Sequence, residues 1–395
     1  MPNSLLTPTI IARYALFHLT NNLVMARLVY RDYEQEFKKI GGSLTIRQPV
    51  KFSVSDGATR TNQDVTENSD TFTVATRRHV SWLFSTEDLT MTIERYTQRY
   101  IRPAMIALAN DVDSELLGLY KDVYNVRGTP GTTPASFLAL ANCGERLEEE
   151  ACPQDRRNGV LNPAANWAMA DALKGTFDKT LAHDTVRKGF LGRVANIGLN
   201  MDQNVNRHTT GTFTTGSTPL VNGASQTGAS LITNGWAAAT AVIKQGDVFT
   251  IAGVNAVNPV TGDDLGYLRQ FVATADGSSD GSGNLTISVS PSITATTAYK
   301  TVTASPGDNA VITMVGTEAT AYPQNLVFHP EAFGLVMAPL ALPKGAVFKA
   351  RATYQGISVR IINYYDGTND NDVIRCDILF GTKTLRPELA CRLVG

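Results

Sequence analysis

The sequence has no excess of charge of either sign. Lysine plus arginine number 35 and aspartate plus glutamate 36 among 395 residues, a net charge of -1. No bulk field therefore draws the chain to nucleic acid or to an anionic membrane, and any nucleic-acid contact is local. Cysteine is scarce: Cys143, Cys152, Cys376 and Cys391 never form a C-x-x-C pair, which excludes zinc-ribbon and dithiol redox motifs and leaves free, partly buried thiols as the expectation. The histidines, His18, His79, His183, His208 and His329, show no H-x-x-x-H or H-E-x-x-H spacing, so no metal centre is expected. No apolar run of about 18 residues occurs, which excludes a membrane-spanning helix. The N-terminal stretch MPNSLLTPTIIARYALFHLTNNLVMARLVY lacks a basic segment followed by an apolar one, so it does not read as a signal peptide and folding in a cytoplasm is expected. Also missing are a G-x-S-x-G elbow, a Walker loop and a G-x-G-x-x-G turn after a strand. The run Glu148-Glu149-Glu150 reads as a solvated helix end, because three consecutive helical side chains diverge. No catalytic residue and no cofactor are nominated.

What is present is ample apolar material, 43% of the residues against 18% charged, and enough length for two or three domains. From Thr9 to Val29, Ile10, Ile11, Tyr14, Leu16, Phe17 and Leu19 recur at three and four, predicting a first helix that breaks near Asn21-Asn22. This arm has one sticky apolar face. After Gly41-Gly42 the period changes to two. Leu44 to Val54 and Phe72 to Phe84 read as two strands, joined by the polar stretch SDGATRTNQDVTENSD as a hairpin with an extended tip.

Ser85, Thr86, Glu87 and Asp88 then offer N-caps and favourable charge for a helix. The stretch from Leu89 to Val123 keeps one apolar stripe through Ile93, Tyr96, Tyr100, Met105, Leu108, Val112, Leu116 and Leu119. Such a helix would be about 50 Å long. Pro103 removes the bond back to Arg99 and should kink the rod without ending it.

Further on, TTPASFLALANCGERLEEEACP reads as a helix with a threonine cap and Pro134 at an early position. NGVLNPAANWAMADALKGTF reads as a short strand, a turn at Asn162-Pro163 and a helix, and GFLGRVANIGLNMDQNV as more sheet. At Arg207 the composition turns to Gly, Ser and Thr with almost no charge, as in a linker or irregular strand pair. Gly246 to Val315 consists of short strands, a small β-barrel or sandwich inserted as a unit. Within it Asp276, Ser278, Asp280, Gly281 and Asn284 match a calcium loop in part, but Ile287 stands where a bidentate glutamate belongs, so a hairpin turn is the better reading. Mixed α and β signals return at Pro323. The pairs Arg77-Arg78 and Arg156-Arg157 lack interleaved aromatics and read as surface or inter-subunit ion-pair partners rather than a nucleic-acid site. Asp263-Asp264 reads as an exposed loop pair.

The blocks DLTMTIERYTQRYIRPAMIALANDVDSELLGLYKDV, GFLGRVANIGLNMDQNV, NLVFHPEAFGLVMAP and LFGTKTLRPELACRLV, in this order, resemble the major capsid proteins of tailed double-stranded DNA bacteriophages with the Hong Kong 97-like fold. The likeness is to the subgroup with an inserted β-domain, typified by short-tailed Salmonella-type phages. The resemblance implies an α+β fold divided into an N-terminal arm (1–40), an extended hairpin loop (41–85), the spine helix of a peripheral domain (86–127), an axial domain with part of the peripheral domain (128–206), a linker (207–245), an inserted β-barrel-like domain (246–316) and a return to the axial and peripheral core (317–395). It also implies a noncatalytic subunit that joins itself in hexamers and pentamers of an icosahedral shell. The further expectations are a separate scaffolding protein, a portal, packaged double-stranded DNA touched without sequence specificity, and assembly in the bacterial host cytoplasm. Contacts between copies are then expected at Asp56, Arg60, Asp64 and Glu67 of the hairpin tip, at Arg77 and Arg78, at Glu94, Arg95, Arg99 and Arg102 of the long helix, and at Asp263 and Asp264. Competing readings are a hydrolase, which lacks a motif, and a β-rich tail or decoration protein, which the long helix disfavours.

Overall fold

The computed structural model describes residues 8–32, 42–47, 49–52, 57, 60, 62, 67, 69–84, 97–173, 191–213, 218–296, 298–346, 348–366 and 371–395. The chain divides into two units assembled from separated segments. The first comprises Met1–Arg47, Ser69–Leu116 and Phe333–Lys383, and the second Gln48–Asn68, Leu117–Ala332 and Thr384–Gly395.

In the first unit the long strand Asn371–Thr384 is central. Ile357–Asp366 pairs along one side of it and Thr76–Phe84 along the other, both antiparallel, and Phe348–Tyr354 pairs with Ile357–Asp366. The last hairpin closes through Gln355 and Gly356 at φ 47° and 80°. Two consecutive left-handed residues give the turn whose twist matches its strands, and glycine takes the second position without strain. Alternate residues Ala350, Ala352, Val359, Ile361, Cys376 and Ile378 are buried, and helix α1 (Pro8–Asn22) packs on the two strands Phe348–Tyr354 and Ile357–Asp366. The first helix thus ends at the asparagines, and its buried stripe is Ala12, Ala15, Leu16 and Leu19. The chain beyond it is tied to helix α2 (Arg102–Leu117) by Asp113, a buried carboxylate that accepts from the backbone N–H of Val24 (2.7 Å) and Ala26 (3.1 Å).

Helix α2 continues a π-turn at Thr97–Ile101 and passes into a 3-10 turn at Gly118–Asp122. The kink expected at Pro103 takes the form of this π-turn: without an N–H, and with its ring against the carbonyl of Arg99, proline cannot close the ordinary ladder there. The expected start of the rod, Ser85 to Tyr96, lies outside the described residues.

The hairpin is shorter than expected. Ser43–Arg47 pairs with Ser69–Thr73 from Ser43↔Thr73 to Arg47↔Ser69, and Pro49, which cannot donate to a ladder, follows closely. Thr76–Phe84, expected as the rest of the second arm, instead forms the pairing with Asp372–Phe380. A period of two identifies a strand but not its partner. Gly381 permits this crossing, since a Cβ there would stand 2.4 Å from the carbonyl oxygen of Thr73.

The second unit contains a seven-stranded mixed sheet in the order Val126–Gly128, Ala390–Val394, Ala321–Phe328, Arg157–Leu161, Ile197–Met201, Arg193–Val194, with Arg207–Thr209 also on Ala321–Phe328. Its central strands are buried almost throughout, as expected where both faces are covered, and carry the buried polar residues Gln324, Asn325 and Arg392. Helices α3 (Phe137–Glu149) and α4 (Pro163–Leu173) pack against it. Helix α3 starts later than expected. Ser136 is the cap, its hydroxyl accepting from the N–H of Ala139 at 3.1 Å, and Pro134 precedes the helix. Ser136→Ala is expected to cost about 1 kcal/mol, measurable as a lowered Tm.

A six-stranded antiparallel sheet completes this unit, in the order Ile312–Met314, Val248–Val257, Asp264–Ala273, Leu285–Ile293, Gly228–Asn234, Leu220–Val221. Its edges meet. Val221 N–H donates to Ala310 (2.9 Å) and Ile312 N–H to Pro219 (3.0 Å), so the sheet closes into a barrel with no open edge there. Phe213, Leu231, Trp236, Phe249, Ile251 and Phe271 lie in its core. Of the two expectations over 207–245, the linker is therefore corrected, while paired strands are found. Those residues supply the strand Arg207–Thr209 and two barrel strands, because a Gly/Ser/Thr-rich stretch with sparse apolar residues can still fill a core and satisfy its backbone through pairing. The calcium-like loop is a turn. Asp280 accepts from the N–H groups of Ser282 and Asn284 (2.8 Å each), and Asp276 from Gln245 N–H (2.8 Å) and Lys244 Nζ (3.1 Å).

Candidate inter-subunit surfaces

Among the described residues no group of His, Cys, Asp and Glu is placed to hold a metal ion, and no helix is long and apolar enough to cross a membrane. All four cysteines are buried and free. The Cys143 thiol is held far above its usual range by its hydrogen bond with Cys391 and by burial. Burial pushes Cys152 up to about 11 and Cys376 higher still. Thiols so held carry little thiolate and are poor nucleophiles.

The structure spends several of the charged residues singled out above inside the chain. Arg78 binds Asp111 (2.8 Å) and Glu115 (3.5 Å) of α2. Arg77 reaches Asp377 at 3.4 Å. Asp264 accepts from Gly266 N–H (2.8 Å) and Asn255 Nδ2 (3.0 Å), and these two bonds, the Gly266 one foremost, hold its carboxyl below the ordinary range. Arg60, Glu67, Arg99, Arg102 and Asp263 are exposed. Asp56, Asp64, Glu94 and Arg95 lie outside the described residues.

A denser constellation sits on the first unit's sheet. Asp377, fully buried, accepts from Arg360 Nη2 (2.7 Å) and Nε (3.2 Å), from Arg375 Nε (2.7 Å) and from Arg77. Burial alone would raise this carboxyl, but the bonds and charges of Arg360 and Arg375 outweigh it and leave it below the usual value. Its contribution to stability is thus present above the unfolded pKa of about 3.9 and is lost as pH falls through the lower folded value. Asp377→Asn is expected to flatten the acid limb of a stability–pH profile below about pH 4 relative to the unaltered protein. The clue in sequence is RCD, with Arg375 and Asp377 on one face of a strand; no motif names it.

Large apolar side chains remain on the surface of both units. Ile10, Tyr14 and Phe17 form an outward stripe on α1, the last 60% exposed, beside a groove of about 740 Å³ lined by Leu16, Phe17 and Tyr354. In the second unit Phe137 and Leu138 of α3, Trp167 of α4, Met201, and Val260 on a barrel loop are exposed. Isolated cases are ordinary, but helical stripes of this size mark contact surfaces.

Residues 7–395 match the family model described as "P22 coat protein - gene protein 5". The chain belongs to the P22 coat protein family. No curated protein matches it in sequence. Among solved structures it is similar to one described as "Mycobacterium phage Che8", with 15% identity, a TM-score of 0.51, and 94% of this chain and 90% of that chain covered. It is also similar to "Capsid structure of the Cyanophage P-SCSP1u" (12% identity, TM-score 0.45, 94% and 87% covered) and to "Asymmetric unit of bacteriophage PhiM1 mature capsid" (11%, 0.43, 89% and 81%). This coat protein has the Hong Kong 97-like fold and is a bacteriophage major capsid protein that forms the shell of the virion.

Proposed function

We propose that the coat protein assembles through noncovalent contacts into hexamers and pentamers of an icosahedral shell around double-stranded phage DNA. In this reading it does no bond chemistry, acts with a separate scaffolding protein and a portal, touches DNA without sequence specificity, and assembles in the host cytoplasm. The segment around α1 is assigned as the N-terminal arm, the hairpin from Ser43 to Thr73 with its acidic connecting segment as the extended loop, and α2 as the spine helix. The seven-stranded sheet with α3 and α4 is assigned as the axial domain, and the barrel as the inserted domain. Contacts between copies are assigned to the exposed Arg60, Glu67, Arg99, Arg102 and Asp263, with Asp56, Asp64, Glu94 and Arg95. The observation that carries the reading is the outward apolar stripe of Ile10, Tyr14 and Phe17 on a helix whose other side is already packed. An apolar stripe of that kind is stabilised by a partner. A tile needs several contacts, each weak alone and strong together. Electron microscopy of the protein expressed with and without its scaffolding partner tests this: closed shells of uniform diameter are expected, and monodisperse monomers under both conditions would overturn it.

A further inference from the structure

Strand register gathers positive charge on one face of the first unit's sheet. Arg360 stands opposite both Asp377 and Arg351, and Asp377 opposite His79. Arg375, Arg77 and Lys349 follow on that face by the alternation of side chains along a strand. This places five cations, Arg77, Lys349, Arg351, Arg360 and Arg375, on the face that carries the buried carboxylate of Asp377, in a chain whose net charge is -1. The remainder of the chain is therefore net acidic.

The segment Leu340–Lys344 lies over this face and takes up part of the donor capacity through its carbonyls. Arg351 Nη1 donates to Leu340 (3.2 Å), Arg360 Nη1 to Ala341 (2.5 Å), and Lys349 Nζ to Pro343 (2.9 Å) and Lys344 (3.2 Å). Carbonyls satisfy hydrogen bonds without cancelling charge. The terminal nitrogens of Arg375 and Nη1 of Arg77 make no hydrogen bond to a described residue, and both side chains line a cavity of about 500 Å³ walled by Pro343, Ile362 and Tyr364. Paired guanidinium groups in an open, partly apolar pocket are suited to bind a planar oxyanion through two parallel bonds.

We propose that this cavity is a carboxylate-binding site that receives an aspartate or glutamate side chain from a second copy of the chain. The inference rests on the shell-forming reading above, and it adds the chemistry of one contact. Charge complementarity favours a second copy, since the rest of the chain is net acidic. The recess disfavours the phosphates of a DNA duplex, which lie along a wide rod and are bound by open basic surfaces. Apolar walls lower the local dielectric and strengthen the guanidinium–carboxylate pair.

The test uses the full-length protein under conditions in which the unaltered protein forms shells. Arg375→Gln and, separately, the half-exposed Arg77→Gln are compared with Arg375→Lys, and folding is checked by circular dichroism. The concentration at which shells appear is expected to rise about tenfold for Arg375→Gln, several-fold for Arg77→Gln, and less for Arg375→Lys, which keeps the charge. In shells mixed from ¹⁴N and ¹⁵N chains, a carbodiimide is expected to join the exposed Lys344, between the lining residues Pro343 and Gly345, to an acidic residue of a differently labelled chain. If unaltered shells form and both glutamine variants assemble at the same concentration, or if Lys344 links only within its own chain, this inference falls while the shell reading stands. If the variants assemble normally but the shells retain less DNA, the site binds phosphate and the inference falls as well. Absence of shells from the unaltered protein would overturn both.

Discussion

Arg269→Met is expected to cost about 3–5 kcal/mol of stability, the largest loss of any single substitution considered for this protein. Arg269 on the barrel strand Asp264–Ala273 donates through Nη1 to Oε1 of Glu150, at the end of α3, over 2.6 Å, and both side chains are almost fully buried. The guanidinium also stands 4.5 Å from the centre of the Tyr124 ring, while Arg146 covers the ring of Tyr267 at 3.7 Å. Burial pushes the Glu150 carboxyl up, and the charge and hydrogen bond of Arg269 oppose it. Removing the arginine leaves burial unopposed by its principal partner, so Glu150 must either stay charged without it or take up a proton. The sign with pH follows. A carboxyl whose folded pKa lies above its unfolded value penalises the folded state increasingly as pH rises from the unfolded value through the folded one. The variant should thus recover part of its deficit between pH 7 and pH 5, read as a smaller Tm difference from the unaltered protein. Arg269→Met combined with Glu150→Leu should regain most of the loss, because a buried pair replaced by apolar groups of similar volume is often neutral. Equal losses in the single and double variants would count against the ion pair as the cause.

Asp247→Ala comes second, at about 3–4 kcal/mol. Asp247, just before the barrel strand Val248–Val257, accepts from the N–H groups of Lys244 (2.8 Å) and Gly211 (3.0 Å) and lies 2.8 Å from Nε2 of His208 on the strand Arg207–Thr209. Nδ1 of that histidine is 3.1 Å from the Tyr120 hydroxyl, and Arg392 stands over the Tyr120 ring while donating to the carbonyl of Gly246 at 2.7 Å. One carboxylate thus ties together Gly211 and Lys244, which flank two of the barrel strands. Its loss leaves buried donors without an acceptor, each worth about 1–3 kcal/mol. Hydrogen exchange should quicken at Gly211 and Lys244 well before it does in the barrel strands, whereas Asp247→Asn, which keeps an acceptor oxygen, should lose roughly half as much. Uniform acceleration across the barrel would argue for a general core defect instead.

Several features were legible from residue order because they depend on neighbours along the chain. The end of α1 at Asn21-Asn22, the strand, turn and helix around Asn162-Pro163, and the disturbance at Pro103 all follow from local periodicity and backbone sterics. The candidate contact residues fared differently. Arg77 and Arg78 stand side by side in sequence as one basic pair, yet strand alternation sends Arg77 toward Asp377 and Arg78 toward α2. Asp264 was singled out with Asp263 but is occupied by its own turn.

Composition and order of blocks by themselves determined the broad identity of this coat protein: mixed α and β, no catalytic or metal motif, a β-rich insertion, and resemblance to phage shells. Only the tertiary structure decided that Thr76–Phe84 leaves the hairpin for a sheet, that the polar stretch after Arg207 helps close a barrel, and that Arg360, Arg375 and Arg77 meet on Asp377. The division has a physical cause. Helical phase, caps and proline effects are set within a few residues, whereas strand partners and buried charge clusters arise between positions hundreds of residues apart, where many pairings satisfy the same local pattern and packing selects among them.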